Sequence, residues 1–299
     1  MPAVCPRVIA YTPAMRGTRV RVTALLLVAA AVTMVSGQQI VQTPFGIDPL
    51  GRFPRADPRA TSRTLPAGYT GQFQFCRLRF RNAPDGDGGG WFVDYPRADE
   101  NLSSRLSEVT KIRISADERG RPRHMVTTAS EPDLLLCPFI MMTEPGGAYF
   151  DEDEAEQLRT YLLKGGFLWA DDSWGSYAWD WWRQQLAIVL PGGTFPVIDL
   201  PMDHPLFHTL FNIERVPQIP NVGLWVSRHQ TSERGPDSPE TPARAVLEPR
   251  TGRVMVFMTH NTDFGDAYEE EAVSPDYFRR FSTVAYAIGA DIVVYAMTH

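Results

Sequence analysis

The chain has 299 residues, 43% of them hydrophobic, and a net charge of −6. That is enough for one large domain or two small ones with a real apolar core. The first 37 residues hold four arginines and no acid, so the remainder carries 25 basic and 35 acidic residues. That imbalance argues against nucleic acid or an anionic membrane surface as the main partner.

In chain order, Arg16, Arg19 and Arg21 precede an uncharged run from Val22 to Val35. Its core, Leu25 to Val32, is too short to span a bilayer comfortably. Val35, Ser36 and Gly37 then place small residues before Gln38. Together these read as a secretory signal peptide over 1–37, with Met15 as an alternative start. An exported protein, periplasmic or secreted, is the expectation, and an uncleaved N-terminal membrane anchor is the competing reading. Residues 38–68 are rich in Pro, Arg, Thr and Gly and read as an extended linker. Residues 69–299 read as one domain.

Within that domain, Phe73 to Phe80 alternates and is rich in aromatics, as a strand would be. Asp99 to Thr110 carries Leu102, Leu106 and Val109 at helical spacing. Met125 to Thr128 reads as a short strand. Asp133 to Met142 is one apolar run of the kind that fills a central strand, with Pro138 marking a bulge or a strand end. Asp151 and Glu154 form a capping box for a helix that Gly165 and Gly166 stop. Phe167 to Ala170 is a strand, and Trp174 to Val189 a helix. Ala245 to Glu248 and Arg253 to Met258 are further strands, Ser274 to Ile288 a helix, and Asp291 to Ala296 a last strand. Apolar strands alternating with amphipathic helices predict an α/β fold, a doubly wound, mostly parallel, flavodoxin-like sheet.

In such a sheet ligands bind outside the carboxyl ends of the strands. Three predicted strand ends deliver polar groups there: Thr143 and Glu144; Asp171 and Asp172; Thr259, His260, Asn261 and Asp263, with Asp266 close behind. The clusters Asp94-Tyr95-Pro96-Arg97 and Asp203-His204 could join them. Each has a plainer reading. Asp171 or Asp172 could cap the helix at Trp174, Gly146 and Gly147 could make only a turn, His204 could be a loop residue, and Asp94 and Arg97 an ion pair. Clustered carboxylates repel, however, and need a proton, an arginine or a cation to coexist. A hard divalent ion on Asp171, Asp172, Asp263 or His260 would meet that need, as would a polyhydroxylated ligand beside the faces of Trp91, Trp174 or Trp225. The candidate ligand-binding set is therefore Asp94, Arg97, Glu144, Asp171, Asp172, His204, His260 and Asp263. Of the three cysteines, Cys5 precedes the signal, while Cys76 and Cys137 fall in apolar runs. They are a disulfide pair if those strands are neighbours in an exported protein, or two buried thiols.

Several stretches resemble one family. Phe75-x-Arg77-Leu78-x-Phe80 with Asp94-Tyr95-Pro96-Arg97-Ala98-Asp99 resembles the start of the DUF4159 family. Leu158 to Asp172, Leu200 to Phe207, and His260 to Asp266 resemble its later parts. The resemblance covers nearly all of 70–299. It implies a class I glutamine amidotransferase-like scaffold related to trehalose-utilisation-type domains, with relatives in exported or membrane-associated bacterial proteins. It implies no reaction. Working amidotransferases place a nucleophilic cysteine on a sharp strand-to-helix turn, and the corresponding turn here, Glu144-Pro145-Gly146-Gly147, has none. Three functions follow as expectations: a ligand-binding domain for carbohydrate or envelope material, a metal-assisted hydrolase, and an interaction module for a cell-envelope protein.

Overall fold

The computed structural model describes residues 70–299; the expected signal peptide over 1–37, the expected linker over 38–68 and Cys5 lie outside the described residues. The strands are β1 (Phe75–Leu78), β2 (Arg81–Asn82), β3 (His124–Thr127), β4 (Phe139–Thr143), β5 (Ala148–Tyr149), β6 (Phe167–Asp171), β7 (Val197–Asp199), β8 (Ala243–Leu247) and β9 (Val254–Thr259). The helices are α1 (Arg97–Val109), α2 (Glu152–Leu163), α3 (Gly175–Val189), α4 (Val222–Arg228), α5 (Phe264–Glu269), α6 (Pro275–Tyr277) and, after a π turn, α7 (Thr283–Thr298).

Seven strands form one sheet in the order β3-β1-β4-β6-β9-β8-β7. The first five are mutually parallel, while β8 runs antiparallel to β9 and β7 antiparallel to β8 at one side. This is the expected flavodoxin-like α/β architecture. Side chains alternate between two cores. Phe139 and Met141 of β4 face the layer that includes Leu102 and Leu106 of α1 and Ile288 and Ile292 of α7. Ile140 and Met142 face Leu158 and Leu162 of α2 and Trp182 and Leu186 of α3. Burial on both faces explains why these strands read as unbroken apolar runs.

Local signals set the boundaries. Asp151 accepts from the Glu154 N–H at 3.0 Å while Glu154 caps back to the Asp151 N–H at 3.0 Å, the expected capping box. A box of this kind stabilises a helix by about 1 kcal/mol. Two expectations are corrected. Residues 133–138 are not strand: Pro132 opens a 3₁₀ turn to Leu136, and β4 begins only after Pro138. Asp291 to Ala296 is not a strand but the second half of α7. An apolar run buried all round has the same pattern in either state, and here length decides, because Pro275–Thr298 continues unbroken for 24 residues. That stretch is apolar and long enough to cross a membrane, yet 61% of its most apolar window is buried within the domain, so it serves as core.

Cys76 of β1 and Cys137, just before β4, are joined in a disulfide that closes a separation of 61 residues. Both are buried. Cross-linking a loop of that length stabilises the fold by about 4 kcal/mol through the unfolded chain.

Candidate functional site

The chain crosses from β1 to β3 on one side and to β4 on the other, so the sheet reverses its winding between β1 and β4. Crevices open outside the carboxyl ends of strands at such a point. The segment between β2 and α1 carries Asp94, the loop after β4 carries Glu144, β6 ends in Asp171 and is followed by Asp172, and the loop after β9 carries Asp263. Five non-glycine residues take positive φ among the described residues, and four stand on this rim: Asp94 (62°), Glu144 (50°), Asp172 (59°) and Asn261 (60°). Left-handed backbone at acidic side chains costs energy that the surrounding contacts must offset, and it gathers at functional sites.

Asp94, Asp172 and Asp263 bring one carboxylate oxygen each to within 4.8 Å of one another. A second trio, Asp94, Asp266 and Glu269, meets the same limit, so Asp94 is common to both. Asp94, Asp172, Asp263 and Asp266 each retain 6% exposure, which leaves the cluster buried but not sealed. Asp172 accepts from Trp174 Nε1 at 2.9 Å. Asp263 caps α5 by accepting from the Asp266 N–H at 2.8 Å. Asp266 accepts from Asn221 Nδ2 at 3.0 Å. Asp94 Oδ2 is buried with no hydrogen-bond partner.

The electrostatics follow from that crowding. Burial, then the neighbouring Asp266 charge, raises the Asp94 carboxyl well above the ordinary range, against the pull of Arg77. Burial and the charges of Glu144 and Asp94 do the same to Asp172, and burial and Asp172 to Asp263. Burial pushes Asp266 up to about 7. Without a cation, then, the cluster holds protons that ordinary carboxyls would have released. The spacing suits a hard ion. Calcium binds oxygens at about 2.3–2.6 Å, so ligands on opposite sides stand about 5 Å apart. Magnesium, at about 2.0–2.1 Å, holds opposite oxygens about 4 Å apart, inside the 4.8 Å limit.

Arg77 fixes the rim from beneath. It lies fully buried in β1. Its Nη1 donates to Thr143 Oγ1 at 2.7 Å and to the Val93 carbonyl at 2.8 Å, tying the end of β4 to the loop that presents Asp94. Its Nη2 donates to Asp99 Oδ1 at 2.5 Å, which anchors the start of α1.

Not every predicted site residue belongs to the cluster. Asp171 is not among the converging ligands. Its Oδ2 accepts from the Phe264 N–H at 2.8 Å and its Oδ1 from the Thr259 hydroxyl, so it locks β6 to β9 and to the start of α5. Burial pushes it up to about 7. His260 is excluded from the metal set because its Nε2 donates to the Gly175 carbonyl at 3.0 Å and its Nδ1 meets Arg244 at 3.3 Å. His204 lies at the opposite edge of the sheet, beside Gly165, Arg253 and Tyr295, where the strands begin. Its Nδ1 accepts from the Leu206 N–H at 3.2 Å, the plain loop role. Arg97 is exposed at the start of α1 and makes no ion pair with Asp94; its charge is felt at Glu269. Glu144 stays on the rim, accepting from the Gly90 N–H at 2.5 Å, with its charge felt at Asp172.

Neither Asp171 nor Asp172 caps α3. The Gly175 N–H goes to Asn261 Oδ1 at 2.9 Å and the Ser176 N–H to Asp237 at 2.9 Å. Trp91, Trp174 and Trp225 are buried and offer no open ring face. Glu269, Arg77 and Gly265 were not singled out as site residues from sequence. The available signal was the i, i+3, i+6 spacing of Asp263, Asp266 and Glu269 and the two arginines, Arg77 and Arg79, set in an aromatic strand.

No curated protein matches the chain. Residues 74–297 match the family described as "Domain of unknown function (DUF4159)". With that match spanning most of its length, the chain belongs to the DUF4159 family.

Proposed function

We propose that this is an exported divalent-cation-binding domain on a class I glutamine amidotransferase-like scaffold, in which the cation organises a rim that binds carbohydrate or other envelope material. The observation that carries the reading is the partnerless, buried Oδ2 of Asp94, converging with Asp172 and Asp263. A buried carboxylate oxygen without a donor costs free energy unless a proton or a cation meets it. Oxygen-only ligands favour calcium, magnesium or manganese over zinc. The bonded Cys76 and Cys137 support export, since such bonds persist in oxidising compartments. They also leave no thiol at either position for glutaminase chemistry.

One observation favours a metal-assisted hydrolase as the second reading. Asp94 belongs to both carboxylate trios, so it could bridge two ions, the arrangement that clamps attacking and leaving oxygens in phosphoester cleavage. Calorimetric titration with calcium, magnesium and manganese at pH 7.5 tests the principal reading. Binding at one ion per chain that is abolished by Asp172→Asn supports it, and no heat from any ion in folded protein ends it. Two ions per chain, with turnover of a generic phosphoester, selects the hydrolase.

A further inference from the structure

A cavity of about 1000 Å³ lies next to the carboxylate cluster, at the same edge of the sheet. The loop after β9 separates the two, with His260 and Asn261 lining the cavity and Asp263 turned into the cluster. Leu200, Val216 and Phe281 give it a partly apolar lining. Three guanidiniums line it: Arg215, Arg244 and Arg280. Two acids, Asp199 and Glu240, line it as well, so the lining carries a net positive charge in a chain whose net charge is −6.

Arg244 is the pre-set member. Its guanidinium lies 4.1 Å over the Trp179 ring, and its Nη1 meets His260 Nδ1 at 3.3 Å. The His260 Nε2–H is spent on the Gly175 carbonyl at 3.0 Å, so Nδ1 carries the lone pair that accepts from Arg244. The imidazole is stacked on Trp179 at 29° and therefore holds the arginine as part of one packed unit. Its acidic partner, Asp199 at 3.2 Å, is 84% exposed. An ion pair so open to water contributes little and gives way readily to a better-placed anion. Arg280 rests 4.9 Å over Trp225, and neither it nor Arg215 meets a carboxylate at ion-pair distance among the described residues. Glu240 also lines the cavity but is exposed. Arginines held by aromatic faces, without a buried acid, are suited to planar or tetrahedral oxyanions. A volume of this size accommodates an organic molecule of monosaccharide size or larger.

We propose that this cavity is a second binding site, distinct from the carboxylate cluster, for a small organic molecule bearing a carboxylate or phosphate that docks on Arg244, with Arg215 and Arg280 supplying further positive charge. The inference does not rest on cation binding. It is tested by isothermal titration of the purified protein at low ionic strength in EDTA with D-glucuronate, D-glucose 6-phosphate and, as the uncharged control, D-glucose. At least one anion binds and glucose does not; preference for glucuronate or for the phosphate identifies the group. Arg244→Gln weakens anion binding at least tenfold, and Asp172→Asn leaves it within twofold. Arg280→Gln, at an exposed position, gives the same test if Arg244→Gln unfolds, with at least a threefold loss. No binding of either anion, equal binding of glucose, or unchanged affinity in a folded arginine variant overturns the assignment.

Discussion

Asp94 Oδ2 lies 2.0 Å from the point where a Cβ on Gly265 would stand. The carboxylate reaches the rim only because residue 265 has no side chain. A methyl group there also falls 2.7 Å from Asp94 Cγ and 3.1 Å from its Cβ, so the whole short side chain must swing away. Gly265→Ala is therefore expected to lower divalent-cation affinity at least tenfold. The fold should lose only about 1–3 kcal/mol, because the displaced group is a single short side chain and not packed backbone. Calcium titration alongside urea unfolding reads both effects, and unchanged affinity would remove Asp94 from the ligand set.

Neutralising one member of the cluster should have opposite effects on stability and on binding. Asp172→Asn removes a buried carboxylate that Glu144 and Asp94 repel. Without a cation the variant is expected to be more stable than the wild type at pH 7.5, by about 1 kcal/mol, as when a site is built at the expense of the fold. It should lose cation binding altogether. Thermal melts in EDTA and in 5–10 mM calcium separate the two; a destabilised variant that still binds would assign Asp172 a structural role.

The pH dependence has a definite sign. Asp171 and Asp266 have folded values near 7, raised from the ordinary 3.8, with burial the leading cause. An acid whose folded value is raised binds its proton more tightly when folded. Its contribution is thus fully present below the unfolded value and is lost as pH rises from about 4 through about 7. In EDTA, unfolding free energy should fall between pH 5 and pH 7.5 by roughly 2 kcal/mol for each of these two carboxyls. Calcium should restore it increasingly toward high pH, since the ion binds the deprotonated cluster. Urea titrations at the two pH values check this, and a cation effect that grows on acidification would contradict it.

Reduction offers an independent check of how the first half of the sheet is held. The bond between Cys76 and Cys137 ties β1 to the segment that leads into β4. Its loss should cost about 4 kcal/mol, whether by dithiothreitol or by replacing both cysteines with serine. Urea unfolding measures the cost, and peptide mapping without reductant should recover the two cysteines in one linked fragment.

Much of this was legible in the sequence. The runs at 139–142, 167–170 and 254–258 are buried on both faces, so their composition alone gave parallel strands, and their trailing acids fell on one rim. What periodicity could not supply was direction. Thr259 and His260 are adjacent at the end of β9 and point to opposite faces, Thr259 toward Asp171 and His260 toward Trp179 of α3. Position after a strand thus placed His260 at the right edge but on the wrong side of the loop. His204 failed for a longer-range reason. Its segment crosses to where β6 and β9 begin, and no local signal records that crossing. The loop of Asp94 meets the end of β4 through contacts of Arg77 that link residues 14 to 66 positions away, a range no local pattern records.

Those contacts make Arg77 the residue on which the rim depends. Its guanidinium and the Asp99 carboxylate are both fully buried, and burial opposes the charge while Asp99 favours it. Removing one partner of such a pair strands the other's charge in the interior, at a cost of about 3–5 kcal/mol. Arg77→Met should therefore unfold at markedly lower urea concentration. The double variant Arg77→Met, Asp99→Leu should recover part of the loss, because no charge is left unpaired. The recovered fold should still bind calcium poorly, since the Val93 carbonyl and Thr143 hydroxyl no longer share a donor that positions Asp94. Calcium titration of the double variant decides the point: full affinity would mean that the loop holds Asp94 without help, and that Arg77 serves stability alone.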